Sequence, residues 1–192
     1  MPGQDDTART LLVLAHPALE RARMNPALAD AAQALPGVTL RDLYELYPDF
    51  TVDVRTEQKL LLEHDLIVLQ FPLFWYSAPS LLKEWIDAVW LKGFAYGPRG
   101  VALRGKTLLC VISTSASAAD FTPEGDYRFS LTEFLRPFEQ TARYCGLKWA
   151  EPFVVFGEDA AGDDGLRRNA EAYRDRLSEL AAQIARTLPT DG

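Results

Sequence analysis

Two cysteines and two histidines in 192 residues leave little room for chemistry that depends on either. Cys110 and Cys145 are too few for a disulfide framework and read as small core residues of a cytosolic protein. With only His16 and His64, no metal-ligand cluster is apparent. A basic surplus is also missing: the net charge of −7 argues against a nucleic-acid partner, because no excess of cations exists to meet phosphates. No run approaches the roughly 18 consecutive apolar residues of a membrane span. The opening M-P-G-Q-D-D-T-A-R-T lacks the basic-then-apolar order of a signal peptide. Repeats and linkers are absent. The expectation is one cytoplasmic domain over 1–192, with residues 1–9 and 189–192 as flexible ends.

What is present is apolar residues, 48% of the chain and ample for a full core. The chain is organised around residues 66–90, L-I-V-L-Q-F-P-L-F-W-Y-S-A-P-S-L-L-K-E-W-I-D-A-V-W. Leu66–Phe71 reads as a parallel strand buried on both faces. After the aromatic loop, Leu81, Leu82, Trp85, Ile86, Val89 and Trp90 fall at helical spacing, with Pro79 suited to the first turn.

Four further strands are expected at Thr10–Ala15, Val38–Asp42, Thr107–Ser113 and Pro152–Gly157, the last edge-like because of its proline. Between them lie a helix from Pro26 to about Leu35 with Asn25 as N-cap, and one from Asp53 to Glu63. Ser130 and Glu133 form a capping box for a helix to Cys145 that Gly146 stops and Pro137 bends or begins. A last stripe runs from Leu166 to Leu188. Tyr44–Phe50 is too irregular for either period, and Thr114–Phe129 reads as a long polar loop. Right-handed crossovers between such strands give a three-layer α/β sandwich with a five-stranded parallel sheet, order 2-1-3-4-5. That order places a ligand crevice between strands 1 and 3.

Three loops then meet at the crevice. The first lacks G-x-G-x-x-G, which argues against a dinucleotide-type site. Its helix start can still bind an anion, with His16, Arg23 and Asn25 as added donors. Each has a plain alternative: His16 could end a strand, Arg23 could be solvated, and Asn25 could do nothing but cap. The second loop, Leu73, Phe74, Trp75 and Tyr76, offers a wall for a flat ligand or else caps the core. The third, Ser113, Thr114, Ser115 and Ala116, is small enough for backbone amides to approach a ring edge. Anion cradle and aromatic wall together fit a phosphate-bearing planar cofactor such as a flavin.

The segments L-V-L-A-H-P, D-L-I-V-L-Q-F-P-L-F-W-Y-S-A-P-S-L-L-K-E-W-I-D and G-F-A-Y-G together resemble the flavodoxin-like NAD(P)H:quinone oxidoreductase family, from about Leu11 to Gly157. L-Y-E-L-Y-P-D-F and Y-C-G-L bring the likeness closer to the FMN-binding ancillary proteins of glutathione-regulated potassium-efflux antiporters. The resemblance implies FMN, with FAD as the alternative, bound at His16, Ala22, Arg23, Met24 and Asn25, at Leu73–Tyr76 and at Ser113–Ala116. It implies NAD(P)H as donor, a quinone-like acceptor, a homodimer, and for the ancillary proteins docking on an inner-membrane antiporter. Two departures matter. Ala22 stands where members often have serine, and Ser113-Thr114-Ser115-Ala116 where they often have T-T-G-G. Larger members relay protons through a tyrosine and a histidine beyond strand 4; this chain offers Tyr127 there but no histidine. The dimer has its own motive in the aromatic surface of Trp90, Phe94 and Tyr96, beside Tyr44, Tyr47 and Phe50. A regulatory subunit is the second reading, and a one-electron flavodoxin the weaker third.

Overall fold

The computed structural model describes residues 8–187. Residues 1–7 and 188–192, which take in most of the expected flexible ends and Leu188 of the last stripe, lie outside the described residues. Ala8 is buried, and the Arg9 backbone amide donates to Asp65 at 3.1 Å.

Apolar runs build the centre. β1 (Thr10–Leu14), β3 (Leu66–Pro72) and β4 (Thr107–Ser113) are buried along almost their whole length, while β2 (Val38–Asp42) is a half-buried edge. All pair in parallel in the order β2-β1-β3-β4, and two short pieces, β5 (Lys148–Trp149) and β6 (Phe153–Val155), share the far side of β4. The flavodoxin-like order expected from the sequence therefore holds, with six strands in place of five. Its last edge differs for a local reason. Lys148 lies opposite Thr107 but Phe153 lies opposite Val111, so the register slips by one residue between the pieces. Pro152 sits in that break, where its missing N–H removes a ladder bond.

Alternation sorts the side chains into two cores. Leu11, Val13, Ile67, Leu69, Phe71 and Cys110 meet α3 (Val54–Glu63), α4 (Ser80–Val89) and α5 (Leu131–Tyr144). Leu12, Leu66, Val68, Leu109 and Val111 meet α1 (Met24–Gln33) and α6 (Gly162–Ala185). Both cysteines are free and buried, and burial raises their thiol pKa values, which keeps them protonated and unreactive.

Several boundaries move. α1 begins at Met24, so Pro26 is its third residue and Asn25 is not its cap. Residues read as irregular after β2 include a short helix, α2 (Leu43–Leu46), because the Asp42 carboxylate accepts from the amides of Tyr44 and Glu45. Pro137 falls inside α5, which runs through it. At the end of α5, Gly146 at φ 76° lets its own amide reach Arg143 and that of Leu147 reach Ala142, the paired bonds of a Schellman motif. The polar loop 114–129 contains a 3-10 turn, Ala118–Phe121. Trp90 and Tyr47, two rings of the expected interface, are buried within the chain, Trp90 against Trp85. A charge at Trp90 would break this core, not an interface. Among the described residues no helix is long and apolar enough to cross a membrane.

His64 ties α3 to the edge of the sheet. Its Nδ1 must donate to the Leu60 carbonyl at 2.6 Å, which leaves Nε2 to accept from the Thr39 hydroxyl at 2.8 Å. Burial lowers its pKa from 6.5, as it does for His16. Above about 6.5 folded and unfolded chains are both neutral at these positions. Below it the unfolded chain protonates first, so stability should fall as pH drops from about 6.5 toward the lower folded values. Melting temperatures recorded between pH 7.5 and 5.5 should decline, and less steeply in His64→Gln. A flat profile would contradict the assignment. Asp42, whose pKa burial raises, opposes this trend only at still lower pH.

Candidate functional site

After β1 the chain turns to one face of the sheet to form α1, and after β3 it turns to the other face to form α4. The strand ends part there, the switch point at which open α/β sheets bind ligands. A cavity of about 340 Å³ occupies the gap.

Its first wall is the loop after β1. His16 receives the Ala18 amide on Nδ1 at 3.2 Å, so the proton of the neutral ring sits on Nε2. Burial, outweighing the carboxylates of Glu20 and Asp42, lowers its pKa and keeps it neutral at pH 7. Among the described residues no side chain caps α1, so the amides of Arg23, Met24 and Asn25 stay available at the positive end of the helix, while Pro26 has none to give. Ala22, Arg23, Met24 and Asn25 all line the cavity, as the sequence suggests. Two of them do so differently from expectation. The Arg23 guanidinium is held by Asp163 at the start of α6, both groups being exposed. The Asn25 side chain turns inward, 2% exposed, and its Nδ2 donates to Ser113 Oγ at 2.7 Å.

The second wall divides. Leu73 and Phe74 line the cavity; Trp75 and Tyr76 do not. Reciprocal backbone bonds of 2.9 Å join Phe74 and Ser77, and φ is 48° at Trp75 and 62° at Tyr76. That is a type I′ turn built from two bulky residues, which costs about 1–3 kcal/mol at each. Trp75 stands 92% exposed at its tip. Tyr76 stacks on Phe134 at 5.1 Å and meets the edge of Tyr127 at 5.3 Å. Tyr127 thus belongs to this aromatic cluster beside the cavity rather than to its lining.

Ser113, Thr114 and Ser115 form the floor. Ala116 sits just behind it, its carbonyl accepting from Gly157 at 3.0 Å. Sequence reasoning missed Pro72, Val155 and Ala160, which complete the lining from the ends of β3 and β6 and the turn before α6. Nothing in the sequence marks them, because apolar residues at strand ends look like core.

A family described as having a flavodoxin-like fold matches residues 8–177. The chain belongs to that flavodoxin-like family. Among relatives of this flavodoxin-like chain, the glutathione-regulated potassium-efflux system ancillary protein KefG of Cronobacter sakazakii is 43% identical over 173 residues, covering 90% of this chain and 94% of its own. The general stress protein 14 of Treponema denticola, solved in complex with FMN, superposes with a TM-score of 0.86 at 39% identity, over 90% of this chain and 99% of that one. An NADPH-quinone reductase from P. pentosaceus superposes with a TM-score of 0.80 at 35% identity, over 88% and 97% of the two chains.

Proposed function

We propose that this flavodoxin-like protein is an FMN-dependent oxidoreductase that takes hydride from NAD(P)H and delivers it to a quinone-type acceptor. One observation carries the reading: the uncapped start of α1, the flat Leu73–Phe74 wall and the Ser113–Ser115 floor converge on a single cavity of about 340 Å³. That volume lies within the roughly 300–1,000 Å³ of small-molecule sites. The residues fit a phosphate-bearing ring: available amides and Arg23 for the anion, a neutral His16 donor beside it, an apolar wall for the ring. A bound flavin would supply a reversible two-electron store. The protein's part is to hold its phosphate, exclude water along Leu73 and Phe74, and present donors from the floor. Tyr127, the proton-relay candidate of the sequence, does not line the cavity and is given no part in this reading.

The test is an absorbance spectrum of the purified protein with mass analysis of the released cofactor, which separates FMN from FAD. Initial rates should then give parallel double-reciprocal lines across several quinones, because one cavity serves donor and acceptor in turn. Intersecting lines would reject a shared site.

Arg23 gives a sharper check. Its guanidinium is exposed and engaged by Asp163, so its contribution is screened. Arg23→Ala should weaken FMN binding only about three- to tenfold, while Asp163→Asn should strengthen it, most visibly at low salt. Fluorescence titration showing no change in either variant would remove Arg23 from the cradle.

A second reading, a regulatory subunit of a potassium-efflux antiporter, is favoured by the KefG relative and by Trp75, which a strained turn holds 92% in solvent. Co-purification with membranes containing such an antiporter, lost in Trp75→Ser, would support it, and a wholly soluble protein in their presence would not. We also propose a homodimer. Its motive shifts from Trp90 to the exposed Leu91 and Tyr144 along the groove of about 470 Å³ between α4 and α5. Light scattering at the monomer mass would reject it.

A further inference from the structure

We infer that Gln70 is a positioning residue for the cavity: through Asn25 it fixes the Ser113 hydroxyl so that its hydrogen must be given to whatever the cavity holds. The inference deepens the flavin reading and rests on it for the identity of that occupant.

Gln70 interrupts an apolar row. On the face of the sheet that meets α1 and α6, it follows Leu66 and Val68 along β3 and lies beside Val111 of β4. Its side chain is completely buried. Nε2 donates to the backbone carbonyl of Asn25 at 2.9 Å and leans toward Asn25 Oδ1 at 3.4 Å. Oε1 has no partner among the described residues. A buried acceptor left unpaired destabilises a fold, and an apolar side chain of the same length would avoid it. Inside α1 the Asn25 carbonyl already has the helical amide four residues on as a partner. The fold alone therefore has no need of this amide.

Its polarity propagates in one direction. A backbone carbonyl can only accept, so Gln70 must turn its NH₂ group toward Asn25; the flipped amide would set oxygen against oxygen. The same NH₂ then favours Oδ1 of Asn25 on its side, which turns the Asn25 NH₂ away, toward Ser113. Nδ2 donates to Ser113 Oγ at 2.7 Å. Asn25 has become the donor in that bond, so the hydroxyl hydrogen of Ser113 has nothing to do there. Among the described residues it finds no protein acceptor, and Ser113 lines the cavity. A serine hydroxyl that donated to Asn25 would have no hydrogen to offer; this one accepts from Asn25 and keeps its hydrogen for the cavity. A donor held at the floor in this way suits an occupant whose buried edge gains negative charge.

The variant is Gln70→Met, with Ser113→Ala and the double variant, each in the full chain. In the flavin-free protein, NMR should show the Asn25 side-chain amide pair shifted and exchanging faster in Gln70→Met. Unchanged signals overturn the proposal. Gln70→Met should melt close to the parent, because the orphaned Oε1 is gone while Asn25 Oδ1 loses only a long contact. A large drop in melting temperature would make the residue structural and also overturn it. FMN affinity should fall about fivefold in either single variant, the scale of one neutral hydrogen bond. The double variant should be no weaker than Ser113→Ala alone, since Gln70 acts through that hydroxyl. Multiplying losses would mean Gln70 acts elsewhere and would reject the relay. If the unsubstituted protein takes up no flavin, the functional reading falls, and the Asn25 amide signals alone decide the positioning role.

Discussion

Glu57→Ala is expected to melt roughly 10 °C below the parent, the largest stability loss for a single side chain outside the apolar core. Glu57 lies on the first turn of α3 and is completely buried. Its Oε1 accepts from Arg41 Nε at 3.0 Å and Nη2 at 2.6 Å, and from the Tyr47 hydroxyl at 2.7 Å. Oε2 accepts from Trp85 Nε1 at 3.0 Å. One carboxylate thus joins β2, the turn after α2, α3 and α4. Burial, with the adjacent carboxylate, pushes the Tyr47 hydroxyl up to about 12, so it remains a donor throughout the neutral range. Truncation would strand a partly buried guanidinium, a phenol and an indole N–H together. Breaking a buried pair by removing one member costs about 3–5 kcal/mol, and each kcal/mol moves the midpoint of a chain this size by about 2–4 °C. Glu57→Gln should lie between, since it keeps acceptance at one atom but must turn an NH₂ group toward a donor. Thermal melts followed by circular dichroism decide it; a shift below about 2 °C for Glu57→Ala would mean the donors find other partners. Because Trp85 is the cluster's hold on α4, the loop 73–79 that feeds α4 should loosen too, with a measurable loss of cofactor affinity.

That cluster also shows where the sequence stops being legible. The strands were readable because their residues are buried on both faces, so composition alone marks L-I-V-L-Q-F-P and T-L-L-C-V-I-S. The capping box at Ser130 and Glu133 was readable because its bonds are local. Glu57, Arg41, Tyr47 and Trp85 carry no such mark, since the charge, ring and indole are distant in sequence and only the crossover of α3 brings them together. The same holds for the site. His16, the residues before Pro26 and the small Ser113–Ala116 run stand out by their places at strand ends, which topology converts into a shared cavity that all but Ala116 line. Which way each side chain faces was not readable. Asn25 turns inward to Ser113 because α1 starts two residues earlier than the N-P pair implies. Trp75 turns outward because two residues of the aromatic loop adopt left-handed backbone, a conformation with no signature in W-Y. Leu66–Phe71 reads as an unbroken apolar run in which Gln70 has no role, because its meaning needs the carbonyl it faces.

Gly157→Ala should abolish tight cofactor binding while leaving the chain folded, although Gly157 does not line the cavity. A Cβ at this position would stand 2.2 Å from the Ser115 carbonyl oxygen and 2.6 Å from its carbon. Both are backbone atoms, so no rotamer change relieves the overlap, and the two loops must separate by about 1 Å to reach ordinary contact. Two bonds resist that separation: Thr114 N–H to the Val155 carbonyl at 3.0 Å and Gly157 N–H to the Ala116 carbonyl at 3.0 Å. Those bonds are what hold the end of β6 against the floor of the site. Forcing them apart displaces Ser113, Thr114 and Ser115 together, and with them the donors the cavity presents. A misplacement of about 1 Å in a positioned site can cost about a hundredfold in function. Overpacking of this kind typically costs about 1–3 kcal/mol, so melting should fall by no more than about 10 °C. The variant should therefore purify as a folded protein with little or no bound flavin and about a hundredfold weaker FMN affinity. Gly157→Ser, which carries the same Cβ, should behave alike, whereas Glu158→Ala next door should retain the cofactor. A flavin-replete Gly157→Ala protein with parental turnover would show that the Ser113–Ser115 floor does not touch the cofactor.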